Sequence, residues 1–112
     1  MDNNVKTSDE ITVIEIVGEL DTSTAHNVQN QILPMAERSR KILLDMTEVT
    51  YMSSAGLRIL LLLYRTIQEK HGEIVIVGLS EEIRDIMSIT GFLDFFITFG
   101  SREDGIKSLE GS

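Results

Sequence analysis

The sequence predicts an α/β domain with about four helices packed on a four- to five-stranded, largely parallel sheet. Two observations carry the prediction. Short β-branched apolar runs alternate with stretches of helical periodicity along the chain, and serine, threonine or aspartate opens the main helical stretches. Strands joined through a crossover helix run parallel, and the crossover is right-handed. A chain of 112 residues supports one core, so residues 1–112 are read as a single domain without linker or repeat.

The elements follow in order. Residues 1–9 are polar and offer at most an edge strand. "ITVIEIV", Ile11 to Val17, is apolar on both faces and reads as a buried strand that Gly18 should break. Asp21, Thr22 and Ser23 are all good N-caps, so a helix starts near Thr22 or Ser23, with Ala25, Val28, Ile32 and Leu33 as its apolar stripe. Pro34 reads as a kink or a last-turn stop. A short strand, Lys41 to Leu44, ends at Asp45, and residues 46–52 read as a loop. A helix begins at Ser53 or Ser54, runs to about Lys70 and ends at His71-Gly72, where Gly72 would supply the left-handed position. "EIVIVG" is the next buried strand. Ser80 caps a helix to about Thr90, with Glu81 and Glu82 favouring its dipole, and Gly91 ends it. "FFITF" is a last strand and "SREDGIKSLEG" a terminal helix.

Composition removes several function classes. The formal net charge of −8 argues against nucleic acid and anionic membranes, both of which need a basic patch. There are no cysteines, hence no disulfides, thiolate metal sites or cysteine nucleophiles. The polar, acidic N-terminus is not a signal peptide, and the longest apolar run, Ile59 to Tyr64, is far short of the ~20 residues of a membrane span. A cytoplasmic protein is expected.

In "TYMSSAGLRILLLLYR", Thr50 to Arg65, two hydroxyls open the most apolar segment of the chain. In parallel α/β sheets, sites gather where loops leave the strand ends, which would bring Asp21, Asp45 and the Ser53–Ser54 start to one edge. A serine nucleophile needs a base. His71 lies at the far end of a helix about 25 Å long. His26 lies one turn into the first helix, and reach from there stays open. There is no G-x-S-x-G elbow, and no Walker or dinucleotide fingerprint. Two carboxylates make a weak metal site, so no metal or cofactor is expected. Two readings of the serines remain: a helix cap worth about 1 kcal/mol, or a phosphate acceptor stabilised by the helix N-terminus. Ile59, Leu62 and Leu63 widen the apolar arc of the helix beyond a one-sided stripe, through burial between layers or as a docking surface.

"VGELDTSTA", "ILLDMTEVTYMSSAGLRILL", "GEIVIVG" and "SITGFLDFFITF", in this order and over nearly the whole chain, resemble the STAS domain, and most closely the stand-alone bacterial anti-sigma factor antagonists. The resemblance implies a mixed sheet with helices mainly on one side, and partner switching without enzymatic activity. The unphosphorylated protein would bind an anti-sigma factor that is also a serine kinase. Phosphorylation of one serine would release it, and a PP2C-type phosphatase would restore binding.

That serine falls on Ser54, with Ser53 as the competing acceptor. Asp21 and Asp45 match the family's two aspartates, Asp45 as support from its loop. The partner surface would comprise Asp21, Thr22, Ser53, Ser54, Ala55, Gly56, Leu57, Arg58 and the exposed side of the helix, on a protein expected to be monomeric when free. One departure stands out: Ser53 and Ala55 replace the family's usual aspartate and serine or threonine around the acceptor. The alternative readings are a STAS scaffold or subunit in a signalling or transport complex, and small-ligand sensing at the Asp21–Asp45 edge.

Overall fold

The β-branched runs pair into one sheet. The protein is described here by a computed structural model covering residues 5–8 and 11–111, with side chains from residue 11 onward. The order is β1 (Val5–Ser8), β2 (Ile11–Leu20), α1 (Thr22–Glu37), β3 (Lys41–Met52), α2 (Ser54–Glu69), β4 (Glu73–Val77), α3 (Glu81–Ile89), a 3₁₀ turn (Phe92–Phe95), β5 (Ile97–Phe99) and α4 (Arg102–Glu110). Strand order in the sheet is β1-β2-β3-β4-β5; β1 is antiparallel to β2 and the other pairings are parallel. The polar N-terminal segment thus supplies an edge strand at residues 5–8, and its remainder lies outside the described residues.

Side-chain alternation divides the core in two. One face of the sheet, with Ile14, Ile16, Leu44 and Ile76, packs against α1, α2 and α3. The other face, with Ile11, Val13, Leu43, Val75 and Val77, packs against Leu109 and Ile106 of α4. The helices therefore lie mainly on one side, as expected.

The departures from the sequence reading concentrate around β3. β2 covers ten residues where β3 covers twelve, so two β3 residues are bulged. Pairing is regular from Ile11↔Lys41 to Glu15↔Asp45, then shifts before Val17↔Glu48 and again before Glu19↔Tyr51. The bulges turn Met46, Val49 and Met52, spaced by three, all into the main core. A regular strand repeats every two residues, and for that reason residues 46–52 resemble a loop in sequence while pairing as strand. Gly18 does not break β2: with φ +99 it takes a conformation open to glycine and stays paired with Val49 beside the second bulge.

Three further boundaries moved. His71, at φ 59, holds the left-handed position after α2. Gly72 is needed for a different reason, because a Cβ there would lie 2.4 Å from the Arg40 carbonyl oxygen. Only Ile97–Phe99 of "FFITF" is strand, and Phe95 ends the 3₁₀ turn before it. Pro34 sits inside the last turn of α1 without ending it.

The wide apolar arc of α2 is largely used internally. Ile59 and Leu63 are buried along with Leu57, Leu60 and Ile67, because α2 is flanked by α1 and the 3₁₀ turn while resting on β3 and β4. Leu61 and Leu62 are half-buried, and the outer side carries Arg58, Arg65, Gln68 and Glu69. The expected docking surface on this helix is therefore mostly polar.

Candidate functional site

β4 stops at Val77, opposite Asp45, and beyond that point β2 and β3 continue as a two-stranded ribbon. The ribbon ends at the register pair Leu20↔Met52, and each strand then turns directly into a helix. The N-termini of α1 and α2 are thus neighbours at one tip, and the Ser53 N–H donates to the Leu20 carbonyl at 3.0 Å. Two positive helix-dipole ends open there side by side.

Each helix start is held by its own cap. Asp21 Oδ1 accepts from the N–H groups of Ser23 and Thr24 at 2.9 and 3.1 Å and from the Ser23 hydroxyl at 2.7 Å. The Thr24 hydroxyl accepts from the Asp21 N–H at 3.0 Å, closing a capping box. The Ser23 hydroxyl and the Thr24 N–H, with the other bonds of this turn, hold the Asp21 carboxyl below the usual carboxylate range. At α2, Ser53 is the N-cap and its Oγ accepts from the Ala55 N–H at 3.2 Å. Ser54 is the first helical residue and is exposed, and among the described residues no hydrogen bond engages its hydroxyl. The two adjacent serines therefore differ in role: Ser53 is tied into the cap, while Ser54 faces solvent.

Thr22, Ser54 and Arg58 are exposed, and Asp21, Ser53 and Ala55 are partly so. Thr22, Ala55 and Arg58 share with His26 and Gln29 a groove of about 210 Å³ between the first turns of α1 and α2. The His26 ring nitrogen bonds the Asn30 side chain at 3.2 Å, one turn along its own helix. Gly56 and Leu57, expected on the partner-facing surface, are buried. Gly56 is where α2 rests on the ribbon: a Cβ would lie 2.6 Å from Met52 Cγ and 2.9 Å from the Leu20 carbonyl oxygen. Glycine here sets the closeness of helix and ribbon, so its role is packing.

Asp45 stands apart from this tip. It was expected in a supporting loop but lies within β3, buried and facing α4. Its Oδ1 accepts from the Thr47 N–H and hydroxyl at 2.9 and 2.6 Å, and its Oδ2 from Arg102 Nε at 2.5 Å. Arg102 also reaches Glu15 Oε2 at 2.9 Å. Burial alone would favour the neutral acid, but the Thr47 and Arg102 bonds outweigh it and hold Asp45 below the usual carboxylate range. The Asp21–Asp45 edge proposed for a small ligand is thus two carboxylates, each engaged by its own partners. Tyr51 was missed by the sequence reading. It is 52% exposed near the tip, and the bulges that conceal the strand in the sequence also conceal which face it takes.

The sequence profile described as the STAS domain matches residues 3–105. The chain belongs to the STAS family. This STAS chain is 30% identical over 99 residues to the anti-sigma-B factor antagonist of Listeria monocytogenes, covering 88% of this chain and 80% of that one. It is 25% identical over 104 residues to the anti-sigma-B factor antagonist of Bacillus subtilis, covering 93% and 95%. The structure of the anti-sigma factor antagonist SpoIIAA in its unphosphorylated form superposes with a TM-score of 0.80 at 18% identity, over 99% of this chain and 98% of that one, which shows the STAS fold. No helix among the described residues of this STAS protein is long and apolar enough to cross a membrane.

Proposed function

We propose that this STAS protein is an anti-sigma factor antagonist that acts by partner switching in the cytoplasm and is a monomer when free. Unmodified, its α1–α2 tip binds an anti-sigma factor that is also a serine kinase; phosphate on Ser54 ends the binding, and a PP2C-type phosphatase restores it. The observation that carries this reading is the division between the serines. Ser54 offers a free hydroxyl at a helix start, whereas Ser53, the alternative acceptor, is occupied as the cap. The names of the Listeria and Bacillus relatives support the same role.

The chemistry of the switch follows from the tip. A phosphate adds a charge of about −1.5 to −2. The helix N–H groups stabilise that charge in the free protein, while a partner packed over Ser54 would have to desolvate it. Arg58, four residues on and lining the groove, would pair with it. Asp21 and Thr22 would give the partner its polar contacts beside the groove. The test compares binding of the wild type, Ser54→Asp and Ser53→Ala to the cognate anti-sigma factor kinase. Ser54→Asp should weaken binding by about tenfold or more, and Ser53→Ala should keep it within about threefold. Equal binding of Ser54→Asp and wild type would remove the switch and favour a scaffold in which both serines are structural.

A further inference from the structure

The far side of the β2–β3 ribbon is a bare patch of sheet. Ile16, Leu20, Val49 and Met52 face the main core, so by alternation Val17, Glu19, Glu48 and Tyr51 face the other way. The register pairs Val17 with Glu48 and Glu19 with Tyr51, which makes the four side chains near neighbours. α4 covers this face lower down, where Ile11, Val13, Leu43, Val75 and Val77 pack against it. Tyr51, Glu19 and Glu48 are accordingly exposed and Val17 is half-buried.

The chemistry of the patch is specific. An exposed phenol ring neighbours two exposed carboxylates, and among the described residues no salt bridge gives either a cation. On this side of the sheet Arg102 is committed to Glu15 and Asp45, and Lys41 bonds the Leu109 carbonyl of α4. Such a patch on a chain of net charge −8 is complementary to a cation with a flat face. A guanidinium can stack on the ring and bond a carboxylate through its edge, which an ammonium cannot do in the same geometry. We propose that Tyr51, Glu19 and Glu48 form a second docking surface, on the face of the ribbon turned away from the main core, for an arginine-bearing basic segment of a partner protein.

The probe is a blocked pentapeptide, Gly-Arg-Leu-Arg-Gly, titrated into the isotope-labelled full chain and followed by amide NMR shifts. Its lysine counterpart and an uncharged glutamine counterpart serve as comparisons. Saturable shifts should centre on residues 17–19 and 48–51, with the arginine peptide binding about threefold more tightly than the lysine one. Tyr51→Leu should remove that preference, and Glu19→Gln with Glu48→Gln should weaken the arginine peptide by about fivefold or more. These positions are at the surface, so the variants should fold. Any of four results would overturn the proposal: shifts spread equally over Glu81, Glu82, Glu103 and Asp104; equal binding of the glutamine peptide; an unchanged arginine preference in Tyr51→Leu; or concentration-dependent shifts at Tyr51 without peptide, which would place a second copy on the face.

Discussion

Replacing Arg102 by alanine tests how the second layer is fastened. The Asp45 side chain is 6% exposed and Arg102 36%, so their pair lies between two regimes. Breaking a fully buried pair costs about 3–5 kcal/mol, and an exposed one about 0–1. Discounting for the exposure of Arg102 gives a loss of about 2 kcal/mol at neutral pH, or roughly 8 °C in Tm for a domain of this size. The pH dependence identifies the cause. In the wild type the folded Asp45 titrates below its unfolded value of 3.8. Its stabilisation is therefore complete above that value and lost as pH falls through the folded pKa. In Arg102→Ala the burial remains while the guanidinium is gone, so the carboxyl moves upward. The stability gap between the proteins should be largest at neutral pH and shrink as pH falls through the folded pKa of the wild-type Asp45. Urea denaturation across pH measures it. A gap below about 0.5 kcal/mol, or one independent of pH, would refute the reasoning.

The tip makes two further predictions. Ser53→Ala should cost about 1 kcal/mol by removing the α2 cap, whereas Ser54→Ala should stay within about 0.5 kcal/mol; denaturation of the two variants separates the structural serine from the free one. Gly56→Ala should gain about 1 kcal/mol in helix propensity and lose about 1–3 by overpacking, because the Leu20 carbonyl at 2.9 Å is backbone and cannot rotate away. The net is neutral to about 2 kcal/mol destabilising, with the amide shifts of Ser53 and Ala55 displaced; a more stable variant with unmoved amides would contradict the close packing of α2 on the ribbon.

What the sequence made legible was local. β-branched runs located β2 and β4, and Asp21, Ser80 and a serine at 53 or 54 marked the helix starts where side chains bond the first turns. Cap chemistry acts within three residues, so spacing alone exposes it. The bulged end of β3 was hidden because Met46, Val49 and Met52 repeat every third residue, and only pairing with β2 explains that spacing. Burial of Gly56 depends on how closely α2 meets Leu20, a contact between distant elements. The Arg102 bonds to Asp45 and Glu15 span 57 and 87 residues, and no local pattern announces them. Thr22, Ser54 and Arg58 meet at one tip because the ribbon delivers both helix starts together.

The central claim is that Ser54, and not its neighbour, carries the switch. Intact-mass and site-resolved mass spectrometry of the protein from its own cells, and after incubation with candidate kinases and ATP, tests it directly. A single phosphate on Ser54, with Ser53 unmodified, is the predicted result. Phosphate on Ser53 alone, or none under any growth condition and with any candidate kinase, would contradict it.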